Sequence, residues 1–389
     1  MSQIFILLLS VVAWLSLSGR SGAQLPLSVA DVVKITPVFN TPSDDSLKCS
    51  IDQRRPRLDF AFRFTAGYTV HCRLGVFEGR KVNLIIYARV TPEGKPPSLL
   101  GEAYHLREVT REELHGMNPR KLKPEIGMSG AFSVGEGDYL VEVLAMDDRG
   151  RTCRKHWPMH VAADRSQRDV PLTIVPLKVE SLDTRGWDIA PVRKAAGVRV
   201  TVLLDAAPIN PYEPTLRAWD RAFLLQSLYS LLRETPFKSV RVVAFNLEQQ
   251  RELFRKDSFD REGFVELAHS LRNMETATVS VQALKKRDSP EFLAALADKE
   301  LAAAGPSDAV IFLGPNSRPA GKTPAKMIPE KTAGATQFFY FQYFPWAGAV
   351  FPDAIERLTK ALNGKVFTIH SPAELEQAIH RMLAQLKQE

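Results

Sequence analysis

Any chemistry in this chain has to be built around Asp205. It closes the apolar run Val198-Arg-Val-Thr-Val-Leu-Leu-Asp205, with Pro208 and Pro211 just beyond it. A run of that length, rich in β-branched residues, reads as a buried central strand. In open α/β sheets, ligands bind in the crevice outside the carboxyl ends of such strands. A carboxylate there could hold a cation or move a proton, provided that partners converge on it. The flanking loops, 206–214, 246–247 and 315–319, offer Asn210, Tyr212 and Asn316 as candidate binding residues, because recognition concentrates on loops held at a fixed sheet edge.

Other chemistry-bearing groupings are weaker. Cys153-x-x-His156-x-x-x-His160 has ligand-like residue types, but on an extended strand the two histidines share a face and the cysteine points to the other. No metal site is therefore expected there. The loop after Asp205 lacks the Gly-x-Gly-x-x-Gly and Gly-x-x-x-x-Gly-Lys phosphate cradles, and no Gly-x-Ser-x-Gly elbow occurs; Gly127-Met-Ser-Gly130 is one residue short. His269, His370 and His380 are scattered, and Asp147-Asp148 stands beside Gly150 in a turn. No catalytic motif is found, so neither enzymatic activity nor a cofactor is expected.

With 389 residues, 45% of them hydrophobic and 24% charged, the chain can bury real cores in about two or three domains. Ile4 to Leu17 is almost continuously apolar and is followed by Ser21-Gly22-Ala23. That predicts a signal peptide over 1–23 with cleavage after Ala23, and hence a secreted or periplasmic protein with no membrane insertion after cleavage. Export makes disulfides permissible. Cys49, Cys72 and Cys153 allow three pairings, of which Cys49 with Cys153 is favoured because it joins the two ends of the first domain. The formal charge of +7 does not predict nucleic-acid binding. The basic clusters Arg54-Arg55-Pro-Arg57 and Arg120-Lys-Leu-Lys123 carry no interleaved aromatics on which bases could stack.

The elements that position these residues fall in two domains. Residues 25–165 alternate apolar and polar residues over 58–64, 69–76, 81–91, 130–134, 138–146 and 152–161, with Gly-rich breaks between. This predicts an antiparallel β-sandwich. After a lead-in over 166–197, residues 198–389 alternate strand and helix: strands near 239–245, 250–256, 307–313, 337–344 and 365–369, and helices from about 216, 260, 289, 352 and 371. Leu216, Trp219, Phe223, Leu224, Leu228, Leu231 and Leu232 give the first helix a core-facing stripe. The short connection into 250–256 predicts an antiparallel edge. The second domain is thus predicted as a doubly wound, Rossmann-like α/β fold with one antiparallel edge strand.

That order of elements resembles a von Willebrand factor type A (VWFA) domain, and the preceding sandwich, with Gly135-Glu-Gly137-x-Tyr139 and Arg151-x-Cys153, resembles the exported bacterial VWFA-related proteins. The resemblance implies a metal-ion-dependent adhesion site: Asp-x-Ser-x-Ser, a later Thr and a later Asp around Mg²⁺. Asp205 matches the first acid and Thr278 falls on the threonine, but Ala207 and Ile209 replace the serines, and Gly314-Pro315 stands where the second acid belongs. The expectation is a degenerate, metal-free site and a non-enzymatic binding or scaffold module for another envelope or extracellular protein. The alternative is an envelope hydrolase with an unidentified site between the domains.

Overall fold

The computed structural model describes residues 24–41, 46–110, 112, 125–182, 197–210, 216–272, 274, 289–302, 307–316, 336–344 and 352–386. Fifteen strands among them form three sheets. Leu25–Pro26 (β1), Ser98–Leu106 (β5), Val82–Pro92 (β4), Gly137–Asp147 (β7) and Thr152–Val161 (β8) make one sheet in that spatial order. Cys49–Leu58 (β2), Phe64–Arg73 (β3), Glu125–Val134 (β6) and Val179–Ser181 (β9) make another. Both β1 and β4 run antiparallel to β5. Two such sheets fit the expected sandwich, and Cys49 is bonded to Cys153, 104 residues away.

Local readings change here. The alternation over 58–64 is not one strand. Leu58 ends β2, and residues 59–63 form a turn in which the Asp59 carboxylate accepts the Ala61 and Arg63 amides at 2.9 and 3.1 Å. The turn is closed by Asp59 N–H donating to the Arg63 carbonyl at 2.8 Å, and Phe62 adopts φ 58°. The basic cluster of Arg54, Arg55 and Arg57 stands exposed on β2, an edge strand, where charge opposes edge-to-edge aggregation. Finally, Val29–Asn40 (α1) is a helix that the periodicity missed. Ser28 caps it by accepting the Asp31 amide, but only Ile35 and Phe39 are buried, too narrow a stripe to read in advance.

The third sheet has the order β12-β11-β10-β13-β14-β15. These strands are Val198–Asp205 (β10), Phe237–Asn246 (β11), Arg251–Lys256 (β12), Ala309–Pro315 (β13), Gln337–Tyr343 (β14) and Lys365–Ile369 (β15). All neighbouring pairs are parallel except β11 with β12, which is antiparallel as the short connection predicts. Helices Ala218–Glu234 (α2), Arg261–Arg272 (α3), Ser289–Ala302 (α4), Ala354–Ala361 (α5) and Pro372–Leu386 (α6) are interspersed with the strands in the chain order β10-α2-β11-β12-α3-α4-β13-β14-α5-β15-α6. Strand order reverses between β10 and β13, the first strand lying beside the fourth, and this is the switch point at which doubly wound sheets open a crevice.

Sequence patterns on the helices mostly keep their meaning. Asp260 accepts the Gly263 amide at the start of α3. Ser371 accepts the Glu374 amide at the start of α6, while Glu374 reaches back to the His370 amide. Phe223, Leu224, Leu228, Leu231 and Leu232 are buried on α2, but Trp219 is 40% exposed and lies outside the core. One face of the sheet packs Leu203, Val243, Phe245, Phe312 and Tyr340 against Leu293, Leu296, Ile355 and Leu358. No helix among the described residues is long and apolar enough to cross a membrane.

By contacts the chain divides into two compact units: one of residues up to Arg55, Gly67–Phe132 and Leu140–Met159, the other of Pro56–Ala66, Ser133–Tyr139 and everything from His160. The α/β sheet lies in the second unit together with the 59–63 turn. Within that unit, Phe60 lies 4.3 Å from the Phe223 ring and 5.5 Å from the Tyr343 ring, and Gln226 donates to Asp59 at 3.1 Å.

Candidate functional site

Asp205 ends β10 beside the switch point, as its place in the sequence implies. Its surroundings make it a sealed group rather than an open one. The residue is 0% exposed, and among the described residues neither carboxylate oxygen has a hydrogen-bond partner. Gly314 of β13 comes so close that a Cβ built on it would stand 2.7 Å from the Asp205 Cβ. Burial drives the Asp205 carboxyl well above the ordinary carboxylate range; the negative charge of Asp353 adds to this and Glu248 adds less, against the pull of the Leu247 amide. That amide does not reach hydrogen-bonding geometry with either oxygen. A carboxyl so placed is held neutral, because charging it away from water and beside another acid is costly.

Asp353 is the second acid, and the sequence reading does not single it out. The sequence reading starts a helix at Pro352; in the structure α5 begins at Ala354 with Asp353 as its N-cap, accepting the Glu356 amide at 2.8 Å. The signal was present as Asp353-Ala-Ile-Glu356, an acid followed three residues on by glutamate. Its other oxygen is ringed by donors: the Tyr340 hydroxyl at 3.0 Å, the Asn316 side-chain amide at 3.2 Å and the Gln342 side-chain amide at 3.4 Å. The Tyr340 hydroxyl also lies 3.0 Å from the Pro315 carbonyl, and its one proton is shared between the two. Burial, and then the two acids Asp353 and Asp205, push the Tyr340 phenol well above its usual range. Two aspartates thus meet at one crevice in opposite conditions, one ringed by donors and one with none among the described residues.

The loop leaving Asp205 is fastened at its base. Ala206 donates its amide to the Phe245 carbonyl, and Asn246 donates to the Ala206 carbonyl, both at 2.7 Å. Asp220 on α2 accepts the Ile209 amide at 3.0 Å and the Arg217 amide at 2.8 Å. Asn210 follows at the outer end of this fastened segment and is half-buried. Asn316 is turned inward, its amide on Asp353 and its N–H on the Tyr343 carbonyl. Tyr212 and Thr278 lie outside the described residues.

Mg²⁺ demands near-octahedral oxygen ligation. Beside Asp205, Ala207 and Ile209 carry no side-chain oxygen, and the Asp353 oxygens are taken by four donors. The described residues do not fit that ion. Nor do the Cys153 and histidine residues of β8 form a ligand set: Cys153 is in its disulfide, and His160 is paired with Asp138 at 2.7 Å. Cys72, the third cysteine, is a buried free thiol pushed up to about 12 by burial, with smaller contributions from Glu125 and Asp147. As a general acid, Asp205 would need reach to a substrate, and in this closed arrangement it has none.

No family model matches the sequence, and no curated protein matches it. Among solved structures, the ArnB paralog VWA2 from Sulfolobus acidocaldarius is 13% identical, with a TM-score of 0.26, covering 63% of this chain and 49% of that one. This chain thus spans about half the length of that protein. A lipoprotein from Bacteroides thetaiotaomicron is 11% identical, with a TM-score of 0.18, covering 34% of this chain and 93% of its own. The β-glucuronidase of Bacteroides uniformis is 8% identical, with a TM-score of 0.19, covering 77% of this chain and 36% of its own. None of these likenesses bears on activity, and the fold described above rests on strand order and register.

Proposed function

We propose that this chain is an exported, non-enzymatic protein-binding or scaffold module, whose α/β unit is a von Willebrand factor A-like domain working without a metal and recognising another envelope or extracellular protein. The observation that carries this reading is the sealing of Asp205. The acid that would anchor a cation has no exposure, no hydrogen-bond partner among the described residues, and Gly314 pressed against it. The neighbouring acid serves as a helix cap and hydrogen-bond hub. What the crevice presents outward is polypeptide, with Asn210 at the end of a loop base fastened by Asn246 and Asp220. Export is supported by the apolar leader and by a disulfide, which belongs to oxidising compartments.

The test is capture from an envelope extract with the purified exported chain, with and without chelator. A saturable protein partner is expected, retained equally in EDTA and in Mg²⁺ and weakened by Asn210→Ala. Retention that requires the divalent ion would overturn the metal-free reading. Turnover across a hydrolase panel by the same preparation would overturn the non-enzymatic one.

A further inference from the structure

Asparagine followed by glycine loses its side-chain amide more readily than other asparagines, because no side chain hinders the glycine nitrogen on its way to the asparagine Cγ. The chain holds one such pair, Asn363-Gly364, between α5 and β15. Asn363 is exposed and adopts φ 56°, the left-handed conformation that asparagine takes more readily than most residues. The two residues close the end of α5 as a Schellman turn. Asn363 donates its N–H to the Lys360 carbonyl at 3.1 Å, and Gly364 donates its N–H to the Thr359 carbonyl at 2.8 Å. The glycine has no room to spare: a Cβ built on it would stand 2.5 Å from the Phe338 carbonyl oxygen on β14 and 2.8 Å from Cγ2 of Thr359.

We infer that Asn363 is a modification site gated by the fold, kept as an amide while this turn is closed and converted to isoaspartate or aspartate once it opens. The nucleophile is the Gly364 nitrogen. It bonds to Cγ of Asn363, the Cγ–Nδ2 bond breaks, and the side-chain nitrogen leaves as ammonia with the proton that Gly364 gives up. Water then opens the five-membered imide. Attack at Cγ leaves aspartate at 363 on an ordinary backbone, whereas attack at the main-chain carbonyl carbon routes the backbone through the side chain as isoaspartate. No oxidant or cofactor is needed. In the closed turn the proton on that nitrogen is committed to Thr359 and the glycine is held against Phe338, so the approach to Cγ waits for the last turn of α5 to open. Isoaspartate lengthens the backbone by one atom beside a glycine that is already tightly seated. A chain modified in this way cannot close the same turn again.

The test compares three samples at mildly alkaline pH: the native protein, the protein in urea, and a synthetic peptide covering Leu358 to Phe367. Peptide mapping by mass spectrometry follows residue 363, and an isoaspartyl methyltransferase counts the rearranged product. Conversion is expected to be at least about tenfold slower in the native protein than in urea or in the peptide, because local opening limits it. Leu358→Ala removes a buried side chain of α5 without touching the reacting pair; it should raise the native rate and leave the rate in urea unchanged. Protein aged in urea and then refolded should carry isoaspartate in a fraction with a lowered urea midpoint. A native rate equal to that of the peptide, or a native rate that Leu358→Ala does not raise, would overturn the gating. Isoaspartate-bearing chains that refold with an unchanged midpoint would overturn the claim that the turn cannot close around them.

Discussion

Gly314 and Asp205 stand side by side at the ends of β13 and β10, where a methyl group on the glycine would come within 2.7 Å of the aspartate Cβ and 3.2 Å of its carbonyl oxygen. The end of β13 is here used for close strand approach. Two central strands cannot separate cheaply, since each is paired on both sides. Gly314→Ala is therefore expected to destabilise the protein by about 1–3 kcal/mol, the usual range for overpacking. Urea denaturation of the purified protein checks this; an unchanged midpoint would mean that the strand ends are loosely apposed.

Asp205 carries a pH dependence whose sign follows from its raised carboxyl. In the unfolded chain it ionises near pH 3.9, whereas in the fold it keeps its proton to higher pH. Below the unfolded value both states hold the proton and nothing is lost; as pH rises above about 4, the unfolded state is increasingly favoured by ionisation. Asp205→Asn lacks this term. The stability of the variant relative to the natural protein should thus rise as pH climbs above about 4, read from denaturation midpoints at several pH values. A constant gap would show that Asp205 is charged in the fold.

Asp353 should respond in the opposite way to truncation. Asp353→Ala removes a helix cap and strips Tyr340, Asn316 and Gln342 of their common acceptor. A lost cap costs about 0.5–2 kcal/mol and each buried group left unsatisfied about 1–3 kcal/mol, so a loss of at least about 2–4 kcal/mol is expected. Asp353→Asn, which keeps one acceptor oxygen, should cost clearly less. Equal losses in the two variants would show that the hub contributes little.

The cysteines divide by reactivity. The Cys49–Cys153 bond closes a long loop, and Cys49→Ser with Cys153→Ser should lower stability by about 2–5 kcal/mol. Cys72 is buried, its thiol pushed up to about 12, so an alkylating reagent should label one thiol per chain in denaturant and none in the native protein. Native labelling would place Cys72 at an accessible site.

Much of the α/β unit was legible because its signals are local. The buried run ending at Asp205, the short antiparallel return into β12 and the caps at Asp260 and Ser371 all lie within a few residues of what they determine. The aromatics at 60, 62 and 64 read as one strand in the sequence because burial in a turn and burial on a pleated face leave the same apolar parity. What separates them is Asp59 folding its carboxylate back on the Ala61 and Arg63 amides.

By itself, then, the sequence determined the alternation of strand and helix, the acid at the carboxyl end of the first central strand and the poverty of side-chain oxygens just after it. Only the tertiary structure decided what that acid meets. Asp353 lies 148 positions further along the chain and reaches the same crevice through the parallel crossovers that return each strand to one sheet, and Gly314 closes on Asp205 through strand pairing. Charge states follow from burial and neighbours, and both are properties of the assembled sheet rather than of any stretch of chain.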